Sequence, residues 1–367
     1  MSYLKTPAKY LQLLLPVFNT KRTKEIFKVN PTVIPAREEA RDVKVYVYNY
    51  NATEIKEQSL EDVKDCTAFG AGNNISWINI DGLRKQDVEF LSNEYHIHSL
   101  LVEDILSIGQ RPKMDEMDDM LFCLMNMLYF NQKSKSVEQE QISIILGKNF
   151  VISFQEDATR DVFDTLRNKL KMPNTRLRNS GADYLCYSMI DSIVDHYYVV
   201  LEQLGETIEE LEEEIIKHGT TRSLARINSL RKEIIVLKRN IAPVREVVNG
   251  FIRSDSVLID EVNTKYFKDI YDHIVQANDL VENYRDMMMN MQDLYLNKVN
   301  LRMNEVMKVM AIVTCLLAPA TVIGGIFGMN FESIPYLHNQ YGFYIAVGLM
   351  LLIPLWMIGI FKKREWF

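Results

Sequence analysis

Charge is missing from two stretches near the end of this 367-residue sequence: Val309 to Phe331 and Tyr341 to Phe361 contain no Asp, Glu, Lys or Arg. An uncharged apolar run of roughly 20 residues spans the hydrocarbon of a bilayer as a helix, so two of them argue against a purely soluble chain. Lys and Arg are also absent from Glu332 to Gln340, which joins the runs, whereas Lys308 precedes the first and Lys362, Lys363 and Arg364 follow the second. Basic residues stay on the cytoplasmic side, which predicts a hairpin with both termini cytoplasmic and a short external loop. Cysteine is scarce: Cys66, Cys123, Cys186 and Cys315 form no Cys-x-x-Cys, which excludes a disulfide framework and fits a reduced cytosolic setting. No basic excess exists, the formal charge being -7, and this argues against nucleic acid as a partner. A phosphate-binding Gly-x-x-x-x-Gly-Lys-Ser/Thr segment is lacking, so ATP-driven pumping has no engine. No nucleophile-base constellation or cofactor motif marks an enzyme.

What is present divides in three. Residues 1–182 read as a cytosolic α/β domain on a mixed sheet: Val43 to Tyr50, Ile75 to Ile80, Leu121 to Tyr129, Gln141 to Leu146 and Phe150 to Phe154 have strand patterns. Arg84 to Tyr95 and Ser99 to Leu106 read as short helices, with His96 and His98 in a loop entering the second rather than as a metal pair. Tyr10 to Phe18 is apolar but holds Pro16 and lacks a small-residue cleavage site, so it is not read as a signal peptide. Residues 183–306 read as long cytosolic helices, broken near His218-Gly219-Thr220 and around Gly250 to Ser256. The acidic stretch Glu206 to Glu214 reads as a solvated helix face. No Gly or Pro occurs between Val257 and Pro319, so one helix from near Tyr266 into the membrane would be roughly 90 Å long. The rest is a first transmembrane helix (307–331), an external loop (332–340), a second transmembrane helix (341–361) and a basic cytosolic tail (362–367). The fold class expected is therefore an α+β membrane protein ending in a two-helix hairpin.

Within the first apolar run, small, polar or flexible residues recur every three or four positions at Met307, Met310, Thr314, Ala318, Thr321, Gly325 and Gly328. Ile312, Val313, Leu316, Leu317, Val322, Ile323 and Ile326 take the other faces, suited to lipid or the second helix. Such a stripe either packs helix on helix or lines an aqueous path, and two helices enclose no path alone. The run ends on Phe327-Gly328-Met329-Asn330-Phe331-Glu332, is preceded by Asn304-Glu305-Val306-Met307-Lys308-Val309, and carries Pro319 and Thr321. With Leu101-Val102-Glu103-Asp104-Ile105-Leu106, Gln110-Arg111-Pro112-Lys113 and Tyr271-Asp272-His273 upstream, the sequence resembles the CorA family of magnesium channels over most of its length beyond the first forty or so residues.

That resemblance implies a funnel-shaped homopentamer in the cytoplasmic (inner) membrane, with Gly328, Met329 and Asn330 as the ion-selecting mouth. A ring of Asn330 amides would hydrogen-bond hydrated magnesium, an ion reluctant to shed its inner waters. Glu332 and the helix C-terminal carbonyls would add negative potential there. Asn304 matches a second polar ring at the cytosolic end, and Met307 and Met310 beside it would close the pore by dewetting. Ala318 stands where the family often has a methionine, implying a weaker middle constriction. Asp104 and Asp269 match regulatory carboxylates that share a magnesium between adjacent subunits, with Glu103 and Asp191 neighbouring a second ion. Read as residues alone these acids are solvated; the resemblance reverses that for Asp104 and Asp269. Magnesium is thus expected as cargo and regulator, driven inward by the membrane potential at roughly 2.3 kcal/mol per charge per 100 mV. The alternatives are another divalent cation (cobalt, nickel or zinc) and a membrane-tethered structural or signalling protein whose hairpin only anchors it.

Overall fold

The computed structural model describes residues 39–40, 42–68, 74–157, 160–330, 334–335, 339–364 and 366. Glu332 and the apolar stretch Tyr10 to Phe18 lie outside the described residues. The chain divides into two compact units, one comprising residues up to 214 together with 220–291, the other 215–219 and 292–367.

The first unit is built on a seven-stranded sheet with strands β1 (Lys44–Tyr50), β2 (Ile55–Leu60), β3 (Ile75–Asp81), β4 (Lys113–Met117), β5 (Met120–Asn131), β6 (Ser136–Leu146) and β7 (Phe150–Gln155). Their order is β2-β1-β3-β7-β6-β5-β4. β3 and β7 run parallel while the other pairs are antiparallel, so the sheet is mixed as expected. Between β3 and β4 the chain forms helices α1 (Lys85–Tyr95) and α2 (Ser99–Leu106). Their apolar residues Val88, Leu91, Leu101 and Ile105 are buried with Val45, Ile78, Phe122, Ile152 and Phe154 of the sheet. His96 ends α1 with its backbone in a left-handed conformation, and the His98 imidazole caps α2, its Nδ1 accepting from the Leu100 amide at 3.2 Å.

Helices α3 (Asp164–Lys171), α4 (Arg176–Asn179), α5 (Ala182–Lys217), α6 (Thr221–Ile241), α7 (Val244–Arg253) and α8 (Thr264–Phe327) follow, then α9 (Gly342–Lys363). Polar side chains tie α5 and α6 to the sheet: the Tyr197 hydroxyl donates to the Asn126 carbonyl at 2.7 Å and Asn126 Nδ2 donates to Asn240 Oδ1 at 2.8 Å. Trp77 is fully buried, donates to Ser153 Oγ at 2.9 Å and meets the Phe163 ring edge-on at 5.8 Å. α5 ends where expected, with Gly219 at φ +51 and Thr220 opening α6 in a reciprocal capping box with Ser223. The acidic end of α5 is largely solvated, with Leu204, Ile208 and Leu211 as its buried stripe. Glu214 instead accepts hydrogen bonds from Ser223 and Arg226, which lower its pKa.

The break expected around Gly250 to Ser256 is present, with α7 ending at Arg253, and a further break that the sequence reading did not give falls at Pro243. Pro243 separates α6 from α7, because it lacks the amide a continuing helix needs, and α8 begins only at Thr264. Before α8, buried Asp183 accepts from the Asp260 amide at 3.0 Å and from Asn263 Nδ2 at 2.9 Å. α8 runs unbroken for 64 residues, about 96 Å at 1.5 Å per residue.

Candidate ion-handling sites

In the second unit, the apolar runs of α8 and α9 have mean hydropathies of 2.2 and 2.3 and contain almost no buried residue. The less exposed side of α8 follows Ile312, Leu316, Pro319 and Ile323, with Ala320 beside them; on α9 it follows Gly342, Ala346, Met350, Ile353 and Met357, with Gly348 and Pro354 beside them. Both sets step by three or four residues, the seam spacing of paired helices. A Cβ built on Gly324 would lie 3.7 Å from Met350 Cε, so the two helices pass close together. The sequence left seven apolar positions to lipid or the second helix; the structure covers Ile312, Leu316 and Ile323 and leaves Val313, Leu317, Val322 and Ile326 exposed.

The small and polar stripe faces elsewhere. At roughly 100° per residue, Met307 to Gly328 of the stripe lie roughly 160–240° around α8 from Ile312. Asn304, Met307, Met310, Thr314, Ala318, Thr321, Gly325 and Gly328 are all exposed in the single chain. Thr314 and Thr321 donate to the carbonyls of Met310 and Leu317 at 2.9 and 3.0 Å. Their protons are satisfied within the helix, and their oxygens still offer lone pairs outward. α8 ends at Phe327, followed by a turn in which the Gly328 amide donates to the Gly324 carbonyl at 2.9 Å, and Asn330 lies beyond it, exposed. A Cβ on Gly328 would come within 3.0 Å of that same carbonyl.

In the first unit, Asp104 sits on α2 beside a lysine: Lys113 Nζ is 2.5 Å from its Oδ2 and 3.0 Å from Asp115. Gln110 Nε2 donates to the other oxygen of Asp104 at 3.3 Å. Burial works against the Lys113 ammonium, but its hydrogen bonds to Asp104 and Asp115 outweigh that and raise its pKa. Glu103 and Asp269 are exposed. Asp191 joins Asp195 and His273 in a group whose ligand atoms lie within 4.8 Å of one another. Burial, then the charge of Asp195, pushes the Asp191 carboxyl up to about 6. Asp195 and His273 were missed, although Asp191/Asp195 and Asp269/His273 are visible in the sequence as i,i+4 pairs, which share a helix face.

A protein-family model described as "CorA-like Mg2+ transporter protein" matches residues 72–363. The chain belongs to the CorA family. That family is one of transporters rather than enzymes, and α8 and α9 supply this member's membrane part. It is 36% identical over 326 residues to the cobalt/magnesium transport protein CorA of Thermotoga maritima, covering 89% of this chain and 93% of that one. It is 30% identical over 297 residues to the putative metal ion transporter YfjQ of Bacillus subtilis, covering 80% of this chain and 91% of that one. The complete structure of the CorA magnesium transporter from Methanocaldococcus jannaschii superposes with a TM-score of 0.73 at 22% identity, over 89% of this chain and all of that one, a likeness of fold.

Proposed function

We propose that the chain assembles as a homopentameric channel in the cytoplasmic membrane, both termini inside, and passes magnesium inward down the membrane potential. The observation that carries this reading is the exposed stripe from Met307 to Gly328, set on the side of α8 away from its seam with α9. A stripe that only packed the hairpin would lie on the seam. Facing a common axis in several copies, the Thr314 and Thr321 oxygens and the Asn330 amides present neutral oxygens to a hydrated cation. Gly328 to Asn330 act as the filter at the outer mouth, with Glu332 adding negative potential, and Met307 and Met310 beside Asn304 form the closed gate.

Intracellular magnesium, bound by Asp104 of one subunit and Asp269 of the next, holds the pore shut. Two carboxylates repel until a divalent ion bridges them. α8 carries Asp269 and the stripe on one unbroken helix, the element through which occupancy would reach the gate. In this chain the ion must compete with the Lys113 ammonium for Asp104.

The test is uptake into liposomes with magnesium, cobalt and zinc offered singly. Magnesium uptake by the parent, lost in Asn330→Ala with the oligomer intact, is expected. Normal magnesium uptake by Asn330→Ala would sink the filter assignment. Cobalt uptake exceeding magnesium would favour the second reading, a transporter of another divalent cation, which the paired metals in the name of the Thermotoga relative support.

A further inference from the structure

Two cations beside α5 stand without partners. Along α3, Arg167 pairs with Asp161 and Asp164, and Lys171 pairs with Glu57 at 2.8 Å. Lys169 on the same helix and Arg176 at the start of α4 form no side-chain ion pair or hydrogen bond with a described residue, and both line one cavity of about 630 Å³. The Thr175 hydroxyl donates to the Lys169 carbonyl at 3.2 Å, which ties the residue next to Arg176 to the last turn of α3. The Arg176 guanidinium lies 4.5 Å from the centroid of the Tyr266 ring and 5.6 Å from that of Tyr184. A guanidinium held over rings keeps the N–H donors along its edge, the fork that matches a phosphate. On the α5 side, Tyr187 is 9% exposed, lines the cavity, and its hydroxyl has no hydrogen-bond partner among the described residues. A polar group so nearly buried and uncommitted calls for an explanation. Its ring centroid is 5.2 Å from that of Tyr184, which also lines the cavity. Two turns further along α5, Asp195 and His196 reach the same cavity, and burial lowers the His196 pKa, which leaves a neutral ring with one acceptor nitrogen.

We propose that this cavity binds a nucleoside phosphate, its phosphate on Lys169 and Arg176, its base against Tyr184 and Tyr187, and its amino or hydroxyl donors toward Asp195 and His196. Its volume falls in the range of small-molecule sites, which combine flat apolar walls with a few placed polar groups. Arginine takes a phosphate through paired N–H donors and lysine adds a point charge, so the two unpaired cations suit the acidic end of such a ligand. A free phosphate would leave the rings and the α5 acceptors idle. An organic cation would meet two uncompensated positive charges, which repel it. An occupant joins α3 and α4 to α5 and so gives a phosphate metabolite a hold on the cytosolic domain. The site takes an anion, unlike the carboxylates proposed to sense magnesium, and its binding test is blind to whether the pore passes magnesium.

The experiment is calorimetric titration of the full-length protein in detergent with ADP, in buffer containing EDTA and no divalent metal, and in parallel with inorganic phosphate and with adenosine. The parent should bind ADP. Losing a charge-assisted contact or a stacked base costs roughly tenfold in affinity, so inorganic phosphate and adenosine should each bind roughly tenfold or more weakly than ADP. Lys169→Met, at an exposed position, should weaken ADP by roughly tenfold, and Lys169→Arg should keep most of the affinity. Tyr187→Phe, which removes only the hydroxyl, should weaken it by roughly three- to tenfold and carries the test if Lys169→Met fails to elute as the parental oligomer. Lys171→Met should leave ADP affinity unchanged, because that lysine is already held by Glu57. Failure of the parent to bind ADP overturns the site, as does equal affinity in the parent, Lys169→Met and Tyr187→Phe. Binding that requires added magnesium also overturns it, since the nucleotide would then be held through a metal, and so does inorganic phosphate binding as tightly as ADP.

Discussion

The sheet-based unit and the apolar-helix unit treat the same residue types in opposite ways. In the first, Trp77, Phe122, Phe154 and Tyr197 are sealed from solvent, and their polar atoms or those beside them find partners inside the chain. In the second, Leu317, Val322, Leu352 and Trp356 are each about 60–70% exposed, with no protein layer over them among the described residues. Burial of apolar area is the main favourable term in folding, so the first unit accounts for its own stability and the second does not. Its cover must come from lipid on one side and, under the proposed pentamer, from other copies along the stripe. The lesson is that a single chain contains the whole argument for the sheet domain and only part of the argument for the pore.

The sharpest way to break this contrast is a pair of truncations. Trp77→Ala should cost about 3–5 kcal/mol of folding stability, the range for emptying a packed aromatic site. Leu317→Ala, 61% exposed, should stay within about 0.5 kcal/mol in detergent. Chemical denaturation monitored on the sheet domain would compare them, and equal losses would mean that Leu317 is covered by something other than detergent or lipid. Next in size is the gate. Met307→Ser or Met310→Ser should admit water to an apolar constriction and raise magnesium leak into vesicles preloaded with inhibitory magnesium. Vesicles as tight as those with the parent would place the gate elsewhere on α8.

How much could be read in advance follows from the same contrast. Strands β1, β3, β5, β6 and β7 were legible because they bury apolar side chains; all were found within two residues of their ends except β6, whose first half, Ser136 to Glu140, was missed. β2 (Ile55–Leu60) and β4 (Lys113–Met117) were not, because as outer strands of the sheet they are rich in polar residues, bury no side chain fully and place their apolar residues without alternation. Charge-free length announced α8 and α9, and the seam on Ile312, Leu316 and Ile323 decided which face of α8 was left for the stripe. The pairing of Asp104 with Lys113 was hidden for a different reason: it joins a helix to an edge strand, a contact that no periodicity encodes. His273 was quoted as part of a family motif, yet its approach to Asp191 and Asp195 depends on how α5 and α8 pack.

That lysine supplies a prediction of opposite signs. Asp104→Asn or Asp269→Asn should raise the magnesium concentration that inhibits current, by about fivefold or more if the coupling falls in the usual 1–3 kcal/mol range. Lys113→Met should lower it, because a tethered ammonium no longer competes for Asp104. Asp115, 3.0 Å from Lys113, keeps a partner for the lysine in the Asp104 variant, so that variant should remain folded. Electrophysiology over a range of internal magnesium would read both directions. A shift of the same sign in Asp104→Asn and Lys113→Met would remove the competition argument.

The smallest effect concerns Asp191 and the pH of the metal-free protein. Burial and the neighbouring Asp195 raise this carboxyl to about 6 from an ordinary value near 3.8. The folded chain therefore holds a proton that the unfolded chain has already released between those pH values, and stability falls as pH rises through that window. Above pH 6 the full penalty remains, discounted for partial exposure to about 1 kcal/mol. Asp191→Asn should accordingly stabilise the metal-free protein at pH 8 by about 1 kcal/mol and make no difference near pH 3. Asp81, also raised to about 6, and Glu140, raised to about 7, slope the same way, so only the difference between parent and variant isolates Asp191. Thermal unfolding of parent and variant at pH 8 and near pH 3 would decide it. A variant no more stable than the parent at pH 8 would mean that solvent already screens the Asp191–Asp195 repulsion and that the burial of Asp191 costs the folded chain little.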